Sequence, residues 1–337
     1  MNDRLRRLHV RSTHTLGARD LFTHIVGMDE RCPLDDVLSL LRVRGALMAH
    51  LRTQAPWGRR LSQTTGATFH AVTAGSCWLR MPGQTPRELL AGDVALLPTG
   101  APHVIASDRT GPVRPWDRAA KARELNAAGE IVIEGRGHSA QIICAAYDYD
   151  HDVAHPLLSM LPPVVVVSDM SDGSPLSSTL RLLRFEVAST GAGRGTVIDR
   201  LIDVMFVHVV RAWVASRTDH PRSWLGALRD PVVARALTAM HSAPARPWTI
   251  DSLAREVSLS RATLTRRFTT LVGEAPLSYL TRWRMDLAAA HLRETDDAVS
   301  AIARRVGYSS EFAFSRAFAR ARGQPPSRYR RDMRREA

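Results

Sequence analysis

The sequence predicts an α+β chain: an N-terminal β-barrel followed by a helical hairpin, then a C-terminal all-α domain with two helix-turn-helix motifs. Three observations lead to this prediction. The chain has 337 residues, enough for two or three domains. Short apolar runs separated by Gly and Pro fill residues 69–105, and a repeat with a period of 49 to 50 residues fills the last third. We expect domains at 20–170, 174–216 and 225–335.

The composition excludes several classes of protein. With 45% hydrophobic and 23% charged residues, the chain has a globular rather than a disordered composition. No apolar run approaches the roughly 20 residues of a membrane span, and the charged start has no signal-peptide pattern. The three scattered cysteines Cys32, Cys77 and Cys144 fit a reducing compartment. We therefore expect a cytoplasmic protein with no membrane partner.

The predicted barrel consists of short strands with turns at Gly75 and Pro82-Gly83. The strand-like runs are 69–72, 77–81, 88–90, 94–98, 131–133 and 141–147. Short strands interrupted by Gly and Pro are typical of a sandwich or barrel. Residues 109–136 contain Pro112, Pro115 and many charges, which predicts a long exposed loop.

Residues 174–216 change to a helical pattern, with apolar residues three and four apart on both sides of a Gly191–Gly195 break. This pattern predicts two helices packed as a hairpin. The hairpin is interpreted as a lid on the barrel, a dimerisation face or a transmission element, with the dimer favoured. Residues 217–223 are the predicted linker, after which Asp230-Pro231 begins a helix that ends near Met240.

The basic charge is concentrated in the C-terminal third. From Pro221 onwards there are 21 Arg and 11 acidic residues, a net charge of +10, whereas the first 220 residues carry only +3. A concentrated basic surface attracts polyanions, of which nucleic acid is the obvious one in the cytoplasm.

The repeat gives this third its fold. The pattern Leu253-Ala254-x-x-Val257 recurs as Ile302-Ala303-x-x-Val306, and Leu264-x-x-x-Phe268 recurs as Phe314-x-x-x-Phe318. Each copy is predicted to be a helix-turn-helix, at 251–270 and 299–320, with Ser260 and either Ser309 or Ser310 as N-caps. An amphipathic helix from Leu277 to about Glu294 joins them, with a length of roughly 25 Å. Such a rod could place two helices in successive major grooves.

The outward faces of the two second helices carry base-reading chemistry. The candidate DNA-binding residues are Arg261, Ala262, Thr265 and Arg266 in the first copy and Glu311, Phe312, Ser315 and Arg316 in the second. Arg can bind guanine, Ser and Thr can donate hydrogen bonds or touch a thymine methyl, and Glu can accept from cytosine. Weaker candidates for phosphate contacts are Arg261, Arg282, Arg320 and Arg328. The alternative is an exposed face that only keeps the domain soluble.

The segment Trp248–Arg331 resembles the DNA-binding domain of the AraC/XylS family of bacterial transcription regulators. Residues 299–318, followed by Gly323, Pro325-Pro326 and Tyr329-Arg330, match the family signature almost position for position. The resemblance implies seven helices, with most base contacts made by Ala262, Thr265 and Arg266, although family members often have a larger side chain than Ala262.

The N-terminal half resembles cupins fused to AraC-type domains. Residues Gly92–His103 are similar to the second cupin motif, and Phe69–Gly75 looks like a degraded first motif. A cupin metal site needs His-x-His and a Glu in the first motif, but here His70 is followed by Val72. We therefore expect no cofactor, while a metal on His70 and His103, with Cys144 or His155 added, stays open.

The effector site is predicted at His70, His103 and Cys144. Cys144 is either a redox sensor, as in relatives that respond to oxidants, or a small buried hydrophobe. The whole sequence thus predicts a one-component, sequence-specific transcription regulator, not an enzyme. Its expected partners are double-stranded DNA, a small-molecule or oxidant effector, a second copy of the chain and RNA polymerase, at the nucleoid. The alternatives are a cupin-type metal-dependent oxygenase or isomerase with an appended DNA-binding module, and an architectural DNA-binding protein.

Overall fold

The computed structural model describes residues 32–41, 43–126, 129–149, 158, 161–168, 173–216 and 224–335. The N-terminal elements are α1 (Pro33–Leu41), β1 (Arg44–Gln54), β2 (Gly58–Leu61), β3 (Ala67–Ala74), β4 (Ser76–Arg80), β5 (Arg87–Leu90), β6 (Asp93–Leu97), β7 (His103–Ala106), β8 (Arg114–Pro115), α2 (Arg118–Glu124), β9 (Glu130–Ile133), β10 (Ser139–Asp148), β11 (Val165–Ser168), α3 (Pro175–Ala188) and α4 (Arg194–Ser216). The C-terminal elements are α5 (Trp224–Ala227), α6 (Pro231–Ser242), α7 (Ile250–Glu256), α8 (Arg261–Val272), α9 (Pro276–Glu294), α10 (Val299–Arg305), α11 (Glu311–Arg322) and α12 (Pro326–Arg335).

The strands form two sheets. The larger has six strands in the order β11-β6-β3-β10-β1-β9, and the smaller has five in the order β5-β4-β7-β2-β8. Within the larger sheet β1, β3, β6 and β10 pair antiparallel in the order β1-β10-β3-β6, while β9 runs parallel to β1. The predicted β-rich architecture of the N-terminal half is confirmed, and β1 and β2 are strands that sequence reasoning missed.

The larger sheet has a hydrophobic core on each of its faces. Successive side chains of a strand point to opposite sides, so one strand contributes to both cores. On β3, Val72 belongs to a core between the sheets together with Cys144 of β10. Phe69 and Ala71 belong instead to a core that includes the helices α3 and α4. This alternation directs His70, between Phe69 and Ala71, into the interior of the barrel, where it is fully buried.

The predicted helical hairpin is present as α3 and α4, and it covers the outer face of the larger sheet. Its contact with β1 is close, because a Cβ on Gly45 would lie 2.1 Å from Cγ2 of Ile202. The Gly45 amide donates to Asp203 Oδ1 at 2.7 Å, and the Tyr147 hydroxyl donates to the Ile202 carbonyl at 2.9 Å. The hairpin is therefore an integral layer of the sensor half.

The prediction of a long exposed loop over residues 109–136 was wrong. This stretch contains β8, α2 and β9. Asp117 accepts a hydrogen bond from the Ala120 amide at 2.7 Å and caps α2, while Trp116 before it is buried. Two charges of this stretch, Arg123 and Glu124, lie exposed at the end of this short capped helix. The predicted linker 217–223, His155 and the first residues of the predicted sensor domain, 20–31, lie outside the described residues.

The C-terminal domain has the seven predicted helices, α6 to α12, preceded by the short α5. Asp230, Ser260 and Ser310 cap α6, α8 and α11 through backbone amides, as their side-chain chemistry predicts. Gly307 adopts the left-handed conformation with φ of 86° at the turn of the second motif. Ser258 takes the same role in the first motif with φ of 58°, which is uncommon for a residue other than glycine.

The hydrophobic core is continuous from the sensor into the first helix-turn-helix. One cluster joins the outer face of the large sheet, the hairpin and the helices α5 to α9. A second, separate cluster holds α10, α11 and α12 against the C-terminal half of α9. The first motif therefore shares its core with the sensor half, whereas the second motif has its own.

Candidate functional site

The first candidate DNA-binding face lies on α8. The Ser260 side chain accepts from the Thr263 amide at 3.2 Å and fixes the start of this helix. Leu264 and Phe268 are fully buried and anchor its inner side. Since residues four apart lie on one face of a helix, this anchoring turns Ala262 and Arg266 outward, and both are exposed.

Arg266 is the least constrained cation of this face. Among the described residues the Arg266 side chain has no hydrogen bond or ion pair. Thr265 beside it is half-buried. Arg261 differs, because its Nε lies 3.2 Å from Asp251 Oδ1. Thr269, three residues beyond Arg266, is exposed on the same surface and was missed by sequence reasoning. Its spacing from Thr265 and Arg266 is the signal that could have identified it.

The second candidate face lies on α11 and repeats this arrangement. Ser310 accepts from the Ala313 amide at 3.3 Å, and Phe314 and Phe318 are fully buried. The opposite side carries the exposed Glu311 and Arg316 and the half-buried Ser315. Phe312 is 72% exposed, and the Arg316 guanidinium carbon lies 5.7 Å from the centre of its ring.

The helix α9 connects the two faces as a single element. Its 19 residues span about 28 Å at the ordinary helical rise. Asp286 on this helix is buried and accepts a hydrogen bond from Arg322 at the end of α11. Burial raises the pKa of Asp286 to about 6, although Arg322 and Arg282 oppose the shift. The ion pair between Asp286 and Arg322 ties α11 to α9, so that α9 sets the position of the second face.

The candidate phosphate contacts divide into two kinds. Arg282 bonds Glu274 at 2.5 Å, Arg328 lies 3.6 Å from Asp332, and Arg261 pairs with Asp251 as described above. Each of these cations would have to leave or share a carboxylate to bind a phosphate. Arg320 is exposed and makes no ion pair among the described residues. Arg320 is therefore the phosphate candidate that the geometry favours.

The three candidate sensor residues form a buried row in the barrel interior. Cys144 and His70 are register partners on β10 and β3, and Cys144 Sγ lies 3.0 Å from His70 Nδ1. His103, from β7 of the smaller sheet, places its Nε2 2.7 Å from His70 Nε2. His103 Nδ1 lies 2.7 Å from the Ala101 carbonyl oxygen. The row thus bridges the two sheets.

This row has one consistent assignment of protons. The Ala101 carbonyl can only accept, so His103 Nδ1 carries a proton and, with the ring neutral, its Nε2 accepts from His70 Nε2. His70 Nδ1 then accepts from the Cys144 thiol. Burial lowers the pKa of His70 and of His103, and a positive charge on His70 would also be repelled by His103. Burial raises the pKa of the Cys144 thiol well above its ordinary value. All three side chains are neutral.

The arrangement does not fit a metal ion. His70 Nε2 faces His103 while its Nδ1 faces Cys144, so Cys144 and His103 contact different nitrogen atoms of the same ring. Metal ligands must converge on one point at bonding distance. No group of three or more His, Cys, Asp or Glu side chains is placed to hold a metal in the described part of the chain.

The N-terminal half also contacts the DNA-binding domain through α1, which packs on α6 and α9. His241 of α6 donates from Nδ1 to Asp36 Oδ2 at 3.1 Å and accepts at Nε2 from the Tyr279 hydroxyl of α9 at 2.7 Å. The ring of His241 stacks on Trp283 with the ring centres 3.8 Å apart. Trp224 of α5 donates to the same Tyr279 hydroxyl at 3.1 Å. We call these five residues the α1 junction.

Comparison with known proteins supports both halves. Residues 33–215 match the cupin family and residues 253–332 match a helix-turn-helix domain family. None of the helices in the described ranges has the length and apolar character needed to cross a membrane.

Several relatives cover nearly the whole chain. An AraC-like transcription regulator of Streptomyces lividans is 37% identical over 302 residues, which are 89% of this chain and 98% of the relative. The transcriptional regulator AlkR of Acinetobacter baylyi is 31% identical over 83% of this chain and 93% of its own. A solved structure of the DNA-binding domain of AdpA, a global transcriptional factor, in complex with a target DNA is 31% identical and covers 32% of this chain and 95% of its own, with a TM-score of 0.31.

The names of these relatives are those of transcription regulators, which favours the regulator over the enzyme alternative. The chain belongs to the AraC family of DNA-binding transcription regulators, with a cupin domain ahead of its helix-turn-helix domain.

Proposed function

We propose that this protein is a one-component regulator in which a signal received by the cupin domain controls two recognition helices, α8 and α11, that enter successive major grooves. The observation that carries the proposal is the pair Arg266 and Arg316. Both occupy the same position of a capped, core-anchored helix, and both are exposed. An exposed guanidinium on such a helix can bind guanine O6 and N7 with its planar fork.

The rigid connection supports the use of both helices at once. The helix α9 spans about 28 Å. Successive major grooves on one face of B-DNA are roughly 34 Å apart, and α8 and α11 lie beside opposite halves of α9. One chain would therefore contact two half-sites. The architectural alternative does not explain why two exposed arginines recur at matched positions on helices fixed by Ser260, Ser310 and buried phenylalanines.

The sensor proposal centres on His70, His103 and Cys144. Because these side chains connect the two sheets, a change in any of them alters the packing of the barrel interior. The effector is a small molecule or an oxidant. Direct oxidation of Cys144 requires its thiolate, and burial with a raised pKa keeps that form scarce. A small molecule that changes the barrel packing therefore fits this row better than an oxidant that attacks the closed barrel.

We propose that the signal reaches DNA through the α1 junction. The helix α1 immediately precedes β1 of the cupin domain in the chain, and it packs on α6 and α9. Asp36 and His241 join it to α6, which packs against α7 and α8 of the first helix-turn-helix, by a largely buried hydrogen bond. A shift of α1 would change the population of α8 orientations, which is the ordinary form of coupling between two sites.

The partners of the regulator follow from its exposed apolar surface and its task. Leu182 and Phe185 on α3 and Val197 and Val204 on α4 are exposed apolar residues on the hairpin. We propose that a second copy of the chain covers them, because exposed apolar patches of this kind mark protein interfaces. We place the regulator at promoters in the nucleoid, within the cytoplasm. There its further partner, besides DNA and the second copy, is RNA polymerase.

The experiment that tests this function is selection of bound duplexes from a random DNA library by the full chain at physiological salt, with and without reductant. We expect a pair of short motifs about one helical turn apart. A dependence on reductant would favour the oxidant effector over the small molecule, and Cys144→Ser should then abolish that dependence. Enrichment of no sequence in either condition contradicts the proposed function.

A further inference from the structure

Phe312 is an aromatic side chain that the fold leaves in solvent. It is the second residue of α11 and is 72% exposed, more than any other large hydrophobic side chain in the described ranges. The same helix buries Phe314 and Phe318 completely. Phe312 is therefore not required by the core of the second motif, and its exposed ring is available to a ligand.

The side chain of Arg316, the candidate for a guanine contact, lies next to this ring. Its guanidinium carbon is 5.7 Å from the ring centre, within the distance of about 6 Å at which a cation and an aromatic ring attract each other. Phe312 and Arg316 are four residues apart, one turn along the exposed face of the helix. Because the two side chains lie side by side, the two groups that they contact on DNA must also be neighbours.

The internal repeat shows what Phe312 replaces. The offset of 50 residues places Phe312 at the position of Ala262, while Arg316 and Ser315 match Arg266 and Thr265. Alanine and phenylalanine differ greatly in size, but both are apolar. In the major groove the apolar group on a base edge is the C5-methyl of thymine, and these two residue types are among those that contact it.

We propose that Phe312 contacts the C5-methyl of a thymine next to the guanine bound by Arg316, so that the second half-site contains a thymine and a guanine at adjacent positions. This inference rests on the proposed function, since it assigns a base to a face that must first enter the groove. The larger ring reaches further from the helix axis than Ala262, and the second half-site therefore depends more strongly on a thymine methyl than the first.

The test removes only the methyl group. In an operator obtained by selection with the full chain, each thymine of the second half-site is replaced in turn by deoxyuridine, which lacks the C5-methyl. We expect binding to weaken about fourfold at one position, the effect of one buried methyl group. Phe312→Ala, whose side chain reaches less far, should lose most of the difference between the thymine and uracil operators, and Phe312→Leu, which keeps a longer apolar side chain, should retain more of it.

Leu90→Ala is the matched control, because it also removes a large apolar side chain that is 54% exposed, but from β5 of the barrel, away from every proposed binding surface. It should leave the ratio of thymine to uracil binding as in the unmodified chain. Thermal unfolding should be unchanged in Phe312→Ala, since the ring lies outside the core.

The outcomes separate the two levels of the argument. If the full chain selects no sequence, the proposed function fails and the inference fails with it. If a sequence is selected but no uracil substitution in the second half-site weakens binding, or if Phe312→Ala remains equally sensitive, the inference alone is overturned. If Phe312→Ala lowers transcription without changing operator affinity, Phe312 contacts a protein partner instead and the inference is again overturned.

Discussion

The two helix-turn-helix units of this chain use the same backbone plan with different supports. The first unit begins with a reciprocal pair of hydrogen bonds between Thr249 and Ser252, whereas Ala298 at the same place in the second unit provides no side-chain cap. At the turn, the first unit accepts Ser258 in the left-handed conformation, and the second uses Gly307. The repeat therefore conserves the fold while the local stabilising interactions are redistributed.

The larger difference is in the cores. The first unit shares one hydrophobic cluster with the sensor half, and the second unit has a separate cluster of its own. The residues Leu40 of α1 and Leu287 of α9 pack on both. If the cupin domain receives a signal as proposed, this difference predicts a first effect on α8, which shares its core, and a second effect on α11 through Leu40 and α9.

The strongest test of this difference removes one buried ring from each unit. Phe268→Ala and Phe318→Ala should each destabilise by about 3–5 kcal/mol, because both rings are fully buried. Phe268→Ala should increase amide hydrogen exchange in α5 to α9 and in the hairpin. Phe318→Ala should increase it in α10 to α12 and in the C-terminal half of α9. Equal exchange throughout the chain in both variants would show that the two cores unfold as one.

The next test compares the two faces on DNA. Arg266→Ala and Arg316→Ala should each weaken operator binding by roughly 1–3 kcal/mol and relax base preference at one position, in the first and second half-site respectively. Arg87→Ala on β5 of the barrel, which also removes an exposed arginine, is the control for net charge. An equal loss on operator and random DNA would show that these arginines bind only the phosphate backbone.

Sequence reasoning predicted the C-terminal domain well because each signal there is local. The caps Ser260 and Ser310, the left-handed Gly307 and the i,i+4 pairs of buried residues are set by neighbours within a few positions. The matching positions of Arg266 and Arg316 follow from the repeat alone.

The sensor half was less predictable because its geometry depends on distant pairing. The residues His70, His103 and Cys144 were identified as candidates, but the contacts between them depend on the register of β3 with β10 and on the second sheet. The α1 junction was not predicted, since Asp36 and His241 lie 205 residues apart in the chain. The strand β1 was missed because its alternation is interrupted by a bulge between Leu47 and Ala49.

A smaller effect is expected at the turns. Gly307→Ala should destabilise by about 1–2 kcal/mol, because a side chain at positive φ clashes with its own backbone. The added Cβ would also lie 3.0 Å from the Ala245 backbone and 2.9 Å from Arg284. Ser258→Gly at the matching turn should change stability by less than about 1 kcal/mol, because the strain that is relieved is offset by the flexibility of Gly in the unfolded chain. Urea unfolding of the two variants measures the difference, and a larger loss in Ser258→Gly would contradict it.

The smallest expected effect concerns pH at the α1 junction, whose rings Trp224, Tyr279 and Trp283 belong to the core cluster of the first unit. Burial lowers the pKa of His241 below its ordinary value of 6.5, although Asp36 opposes the shift and Arg282 adds to it. The unfolded chain therefore takes up a proton near pH 6.5 while the folded chain resists, so that the stability contributed by His241 is lost as the pH falls below about 6.5. His241→Gln cannot titrate, and between about pH 7.5 and about pH 5.5 it should lose less unfolding free energy than the unmodified chain. The buried His50, His70 and His103 contribute equally to both proteins, so the comparison isolates the junction. An identical loss in both would mean that His241 takes up a proton in the folded chain as readily as in the unfolded chain.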